Sequence, residues 1–184
     1  TASGLQGLTN GNTYSFSVAV SDAQGNAATP DTSESFTYDI TAPTSSAATI
    51  AVNGDGNANN ADVVTITLDP SESIGTPTCT WTDGSGAMAD TSVTYGTVSS
   101  TDHHTAAVTV ADADEDGTVG FSCTYSDTAG NAIASAITAI TTGSAVTIDN
   151  THPTSSAVTI AVTGSGDANN ADVVTITLDP SETV

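Results

Sequence analysis

The residues of this chain whose types and spacing could do chemistry are acidic. Asp112-Ala113-Asp114-Glu115-Asp116-Gly117 sets carboxylates at alternate positions before a glycine, as in the first half of an EF-hand loop, where such oxygens wrap Ca2+. The twelfth position is Cys123 and no helical pattern flanks the run, so it is not an EF-hand. It reads either as an Asp-rich turn that holds calcium in its own way or as a solvated acidic turn. A second set is dispersed. Asp39 and Asp149 lie in short linkers, Asp22 and Asp127 open Asp-x-x-Gly-Asn loops, and Asp69 with Glu72, like Asp179 with Glu182, belongs to an Asp-Pro-Ser-Glu turn. Carboxylates gathered without a basic partner must repel, take up protons or bind cations. Hard oxygen ligands favour Ca2+ over transition metals. Asp55 and Asp62, in the Gly- and Asn-rich stretch 53–62, offer further oxygens.

No basic side chain other than histidine is present to offset these charges. The chain has no Lys and no Arg against 21 Asp and Glu, a formal charge of −21. That excludes a Lys or Arg phosphate cradle, the basic footprint of nucleic-acid binding and electrostatic docking to anionic membranes. No stretch has the length and apolarity of a membrane span, so direct membrane insertion of this segment is not expected. Catalytic chemistry finds little support. Asp102-His103-His104 is the one cluster containing imidazole, and adjacent residues on a strand point to opposite faces, so the two histidines read as a surface pair. Eight aromatic residues are too few to suggest a lined cleft.

The elements that must position these carboxylates read as strands. In 62–68, Val64, Ile66 and Leu68 alternate with Val63, Thr65 and Thr67, and the same period of two runs through 48–52, 106–110, 119–125 and 144–148. No helical stripe of useful length is present; 132–140 is the nearest, and its Ile and Thr content favours a strand or loop. Residues 41–74 recur almost unchanged at 151–184, an offset of 110 residues. A second echo, between 16–26 and 121–131, fixes the phase. The chain therefore divides into the late part of one repeat (1–40), a complete repeat (41–150) and the early part of the next (151–184). A unit of this length with about seven short strands predicts an all-β, tandem immunoglobulin-like β-sandwich. Strands A to C are placed near 46–52, 62–69 and 77–83, and E to G near 104–111, 118–126 and 143–149.

The junction motif Asp39-x-Thr41-Ala42-Pro43 and the loops Asp22-x-x-Gly25-Asn26 and Asp127-x-x-Gly130-Asn131 resemble those of bacterial Ig-like tandem repeats in large surface adhesins and surface fibre proteins. The second junction departs from the pattern, with His152 in place of the alanine. The resemblance implies an extracellular, non-enzymatic stalk or fibre, with neighbouring repeats and identical chains as partners and with calcium at the junctions stiffening one domain against the next. On that frame Cys79 and Cys123 share the core-facing parity of strands C and F. They are expected either to form a cross-strand disulfide or to pack as two buried thiols. A non-catalytic spacer or carbohydrate-binding module of a secreted enzyme, and an S-layer or sheath component, are the alternative functions.

Overall fold

The computed structural model describes residues 6–54, 56–98, 102–164 and 166–182, and Asp55 lies outside the described residues. Among these, every named element is a strand, and no helix is long and apolar enough to cross a membrane. The chain is all-β, built from several sheets. Residues 6–40 form β1 (Thr13–Tyr14), β2 (Ser17–Val18), β3 (Asp31–Thr32) and β4 (Phe36–Thr37), paired antiparallel as β1 with β4 and β2 with β3. The next repeat contributes β5 (Ser45–Val52), β6 (Asn57–Ala58), β7 (Val63–Pro70), β8 (Thr78–Thr82) and β9 (Thr94–Thr97). It continues with β10 (His104–Thr109), β11 (Gly117–Thr118), β12 (Gly120–Thr124) and β13 (Thr147–Ile148). After it come β14 (Ser155–Val162) and β15 (Val174–Pro180).

The period of two in the sequence becomes one buried and one open face. β5, β7, β10 and β9 form a four-stranded antiparallel sheet in that order. Across it Ile50 stands opposite Ile66, Ile66 opposite Ala106, and Val64 opposite Val108. All five side chains are buried, whereas the threonines of β7 are only half-buried. Each buried Val, Ile or Leu contributes about 1.5–3 kcal/mol of transfer free energy. Strand β9 was not expected. Its four residues are all exposed, so it has no buried face to imprint an alternation, and its Tyr95 hydroxyl accepts a hydrogen bond from the Cys79 amide at 3.0 Å.

The remaining strands supply the other wall of the same core. β8 pairs with β12, and β11 pairs with β13, which continues in parallel to β6. Cys79 lies directly opposite Cys123, with Cα atoms 4.1 Å apart, and the two are joined in a disulfide. Trp81, Tyr125, Val119, Val146 and Ile148 share one cluster with the buried face of the four-stranded sheet. The stretch 132–140 is not a strand. It is held by two isolated bridges, Ala132 to Ser126 and Ile137 to Cys123, and packs Ile133, Ile137 and Ile140 partly against the core. Two turns meet at Gly84 and Gly117. A Cβ on Gly84 would lie 2.1 Å from the Asp116 carbonyl oxygen, and Gly117 has φ of 150°, so both positions require glycine.

The chain separates into two compact units, Thr1–Asp149 and Asn150–Val184. In the second, β14 and β15 repeat the register of β5 and β7 position for position, with the same irregularity near the start: Ser155 faces Pro180 as Ser45 faces Pro70, and Ile160 faces Ile176 as Ile50 faces Ile66.

Candidate functional site

Three of the expected carboxylates converge, and short-range hydrogen bonding explains how. Asp127 opens a turn that closes on itself. Its Oδ1 accepts from the Asn131 amide and its Oδ2 from Asn131 Nδ2, both at 2.8 Å, while the Asp127 amide donates to the Asn131 carbonyl. Gly130 supplies the left-handed residue, φ 96°, that the turn needs. Asp22, Gly25 (φ 89°) and Asn26 build the same turn in residues 6–40. The Asp-x-x-Gly-Asn motif is thus a folding signal in its own right. Asn131 also donates from Nδ2 to the Asp39 carbonyl at 3.2 Å, drawing the linker onto the turn. From the other side, a bridge between Ile74 and Asp127 brings the Asp-Pro-Ser-Glu segment alongside.

The result is that carboxylate oxygens of Asp39, Glu72 and Asp127 all lie within 4.8 Å of one another. No other group of three possible ligands meets that criterion among the described residues. Asp127 is 6% exposed, and Asp39 and Glu72 are half-buried. The electrostatics record the crowding. Burial, then Asp39, then Asp127 push the Glu72 carboxyl above the ordinary glutamate range. Asp127 is held low, chiefly by the Asn131 side chain. Of the three, Glu72 is the one whose charged form the fold disfavours. Glu182, which corresponds to Glu72 in the next recurrence, has a buried Oε1 with no hydrogen-bond partner among the described residues. An all-oxygen, all-anionic donor set of this kind fits a hard divalent cation.

The other expected ligands go elsewhere. Asp69 is drawn away from the junction by Ser46 Oγ at 2.5 Å and by His103 Nε2 at 3.1 Å. Asp179 makes the equivalent bond to Ser156 Oγ at 2.7 Å. Asp22 is exposed and occupied by its own turn. The second junction's carboxylates divide between the two compact units, with Asp149 ending the first and Asp179 and Glu182 lying in the second. The run Asp112, Asp114 and Asp116 does not form a cage. Asp114 is 3% exposed and accepts from the Ala89 amide at 2.6 Å and the Ala111 amide at 2.8 Å, while Asp112 and Asp116 face solvent. The spacing resembles a calcium loop, but the three carboxylates do not point alike; the inward one, Asp114, fastens the turn to the segment after Met88. Asp62 similarly closes its own loop through the Asn59 amide.

Asp83 was missed by the sequence reading. It accepts from the Ser85 and Gly86 amides at 2.8 and 2.7 Å and, across the turn, from the Glu115 amide at 3.0 Å. These bonds, Glu115 foremost, lower its pKa to about 2. The Asp-Gly-Ser-Gly run around it signalled a turn, but nothing local signalled the partner 32 residues away. No protein-family model matches the chain, and neither does a curated protein or a solved structure.

Proposed function

We propose that the chain is a run of immunoglobulin-like domains from an extracellular adhesin or surface filament, acting as a stiff stalk whose junctions are tied by Ca2+. The observation that carries this reading is the recurrence of one strand pair, with one register and one irregularity, 110 residues apart. Recurrence of a whole domain-sized unit builds length. The strand arrangement supports the finer fold: β5, β7, β10 and β9 correspond to A-B-E-D, and β8, β12 with β11, and β13 correspond to C-F-G. The Cys79–Cys123 disulfide suits an oxidising compartment.

At the junction, Asp39 in the linker and Glu72 and Asp127 in the following domain would hold the cation, with Asn131 orienting Asp39 and Asp127. The ion would supply the positive charge that the sequence lacks and turn mutual repulsion into a shared cage linking the connector to the domain. Stiffness would follow from the cage fixing the linker residue Asp39 to Glu72 and Asp127. The absence of Lys and Arg leaves the clustered carboxylates to cations, histidine or protons. Electron microscopy of the native assembly tests the reading. Extended threads with an axial period of one repeat support it, and compact isolated particles refute it.

A further inference from the structure

The four-stranded sheet of the complete repeat has two edges, and the fold treats them differently. On β5 the outer edge is covered: the Thr141 amide donates to the Ala48 carbonyl at 2.8 Å, and the Ala48 amide donates to Thr141 Oγ1 at 3.0 Å. On β9 it is open. The Val98 amide donates to the His103 carbonyl at 3.0 Å, one pair beyond Thr97 and His104 in the register. Hydrogen-bonded pairs alternate along an antiparallel ladder. Thr94 and Gly96 therefore bond inward to β10, whereas Tyr95 and Thr97 turn their backbone amides and carbonyls outward. Among the described residues no hydrogen bond reaches those outward groups. Strand edges are ordinarily covered, or blunted with charge or proline, and Thr94-Tyr95-Gly96-Thr97 has neither charge nor proline.

Charge singles out the same place. The chain carries 21 acidic residues, yet the segments 73–82, 91–101 and 103–111 contain none. They hold β8, β9 and β10, which the fold gathers here. The Cys79 amide donates to the Tyr95 hydroxyl, and a groove of about 220 Å³ along the edge is lined by Thr76, Pro77, Tyr95, Gly96, Thr97 and His104. Depletion of charge marks the centre of protein interfaces. We propose that β9 pairs antiparallel with β9 of a second copy, about a two-fold axis at Gly96. Tyr95 of each copy then faces Thr97 of the other, and each such pair exchanges two backbone hydrogen bonds between groups that point outward in both. A cationic partner would find no carboxylate along this edge, whereas a second copy meets the first where both lack charge. The pairing is self-complementary, so it closes at two copies. Each copy carries −21 overall, so association should strengthen as salt shortens the screening length, about 8 Å near physiological ionic strength. The inference rests on the edge of β9 and not on calcium.

The test uses the full chain in chelator at moderate salt. Mass is followed by sedimentation against concentration, and backbone amide hydrogen exchange is read residue by residue on the same samples. The unchanged chain should pass from monomer to dimer below about 1 mM and go no further. The Tyr95 and Thr97 amides should become protected as the dimer forms, while those of Thr94 and Gly96 are protected throughout. Thr97→Pro deletes one outward donor from each copy and spares the ladder to β10, so it should weaken association about tenfold or more. Thr97→Asp keeps the amide, sets a carboxylate opposite Tyr95 of the other copy, and should weaken it as well. The disulfide and the buried environment of Trp81 report that the repeat is folded in each variant. A chain that stays monomeric, association that continues past two copies or leaves the Tyr95 and Thr97 amides exchanging freely, or dimers undiminished in both variants, overturns the proposal. Chelator separates this outcome from failure of the calcium-tied stalk.

Discussion

Ile66 and Ile176 occupy one register position in two copies of the same strand pair, facing Ile50 and Ile160, yet the first is sealed in a core and the second faces solvent. Ile66 is covered by the wall that carries Trp81, Cys123 and Ile148. Ile66→Ala should destabilise the complete repeat by about 2–5 kcal/mol, lost transfer free energy plus a cavity. Ile176→Ala should leave that transition unmoved. Urea unfolding followed through Trp81, the one tryptophan, measures both.

The Cys79–Cys123 bridge closes a loop over a sequence separation of 44 residues. In the chain-entropy view this constrains the unfolded state by on the order of 4 kcal/mol. Replacing both cysteines with alanine should lower the unfolding free energy by about 2–4 kcal/mol without abolishing the fold, since Val18 holds the position of Cys123 in residues 6–40. Non-reducing mass spectrometry of fresh protein showing two free thiols would contradict the bridge.

Asp114 and Asp112 separate a structural turn from a calcium loop. Removing the Asp114 carboxylate strands two backbone amides, and each unsatisfied buried group costs about 1–3 kcal/mol. Asp114→Ala should therefore lose roughly 2–5 kcal/mol of stability, and Asp112→Ala almost none. Neither should change calcium binding at the junction. A matching loss of calcium affinity in Asp112→Ala would return the metal to this turn.

Legibility in the sequence followed burial. Alternation located β5, β7, β10 and β12 because each sets side chains of one parity in the core. It passed over β9, which has no buried residue, and overextended the last strand, since only Thr147–Ile148 forms a ladder while Val146 reaches the core without one. The junction carboxylates were readable as a class from charge and motif. Which of them meet was not, because Ser46 and His103 compete for Asp69, and such competition depends on the register of β5 against β7. Asp83 and Asp114 escaped as structural residues for a similar reason, as each takes one donor from a distant segment, the Glu115 and Ala89 amides respectively.

Opposite pH signatures should appear at Glu72 and Asp83. Glu72 is raised in the fold, so its contribution is present at low pH and is lost as pH rises through its folded value. In calcium-free protein, Glu72→Gln should raise Tm near neutral pH. Asp83 is lowered from 3.8 to about 2, so its contribution is present above the ordinary value and fades as pH falls through about 2. Asp83→Asn should lower Tm at neutral pH and converge with the unchanged protein near that acid limit. Melting curves across this range check both signs.

Calcium titration calorimetry paired with melting curves bears most directly on the cation-tied junction. The expected result is a binding heat at neutral pH that is lost or sharply weakened in Glu72→Gln, and that weakens on acidification before an ordinary glutamate would titrate. Alongside it, calcium at a hundredfold its dissociation constant should add about 2.7 kcal/mol to stability, and monovalent salt should not substitute. Absence of a heat, with identical melting curves in calcium and in chelator, would contradict the metal and leave Asp39, Glu72 and Asp127 as an acidic cluster without a cation.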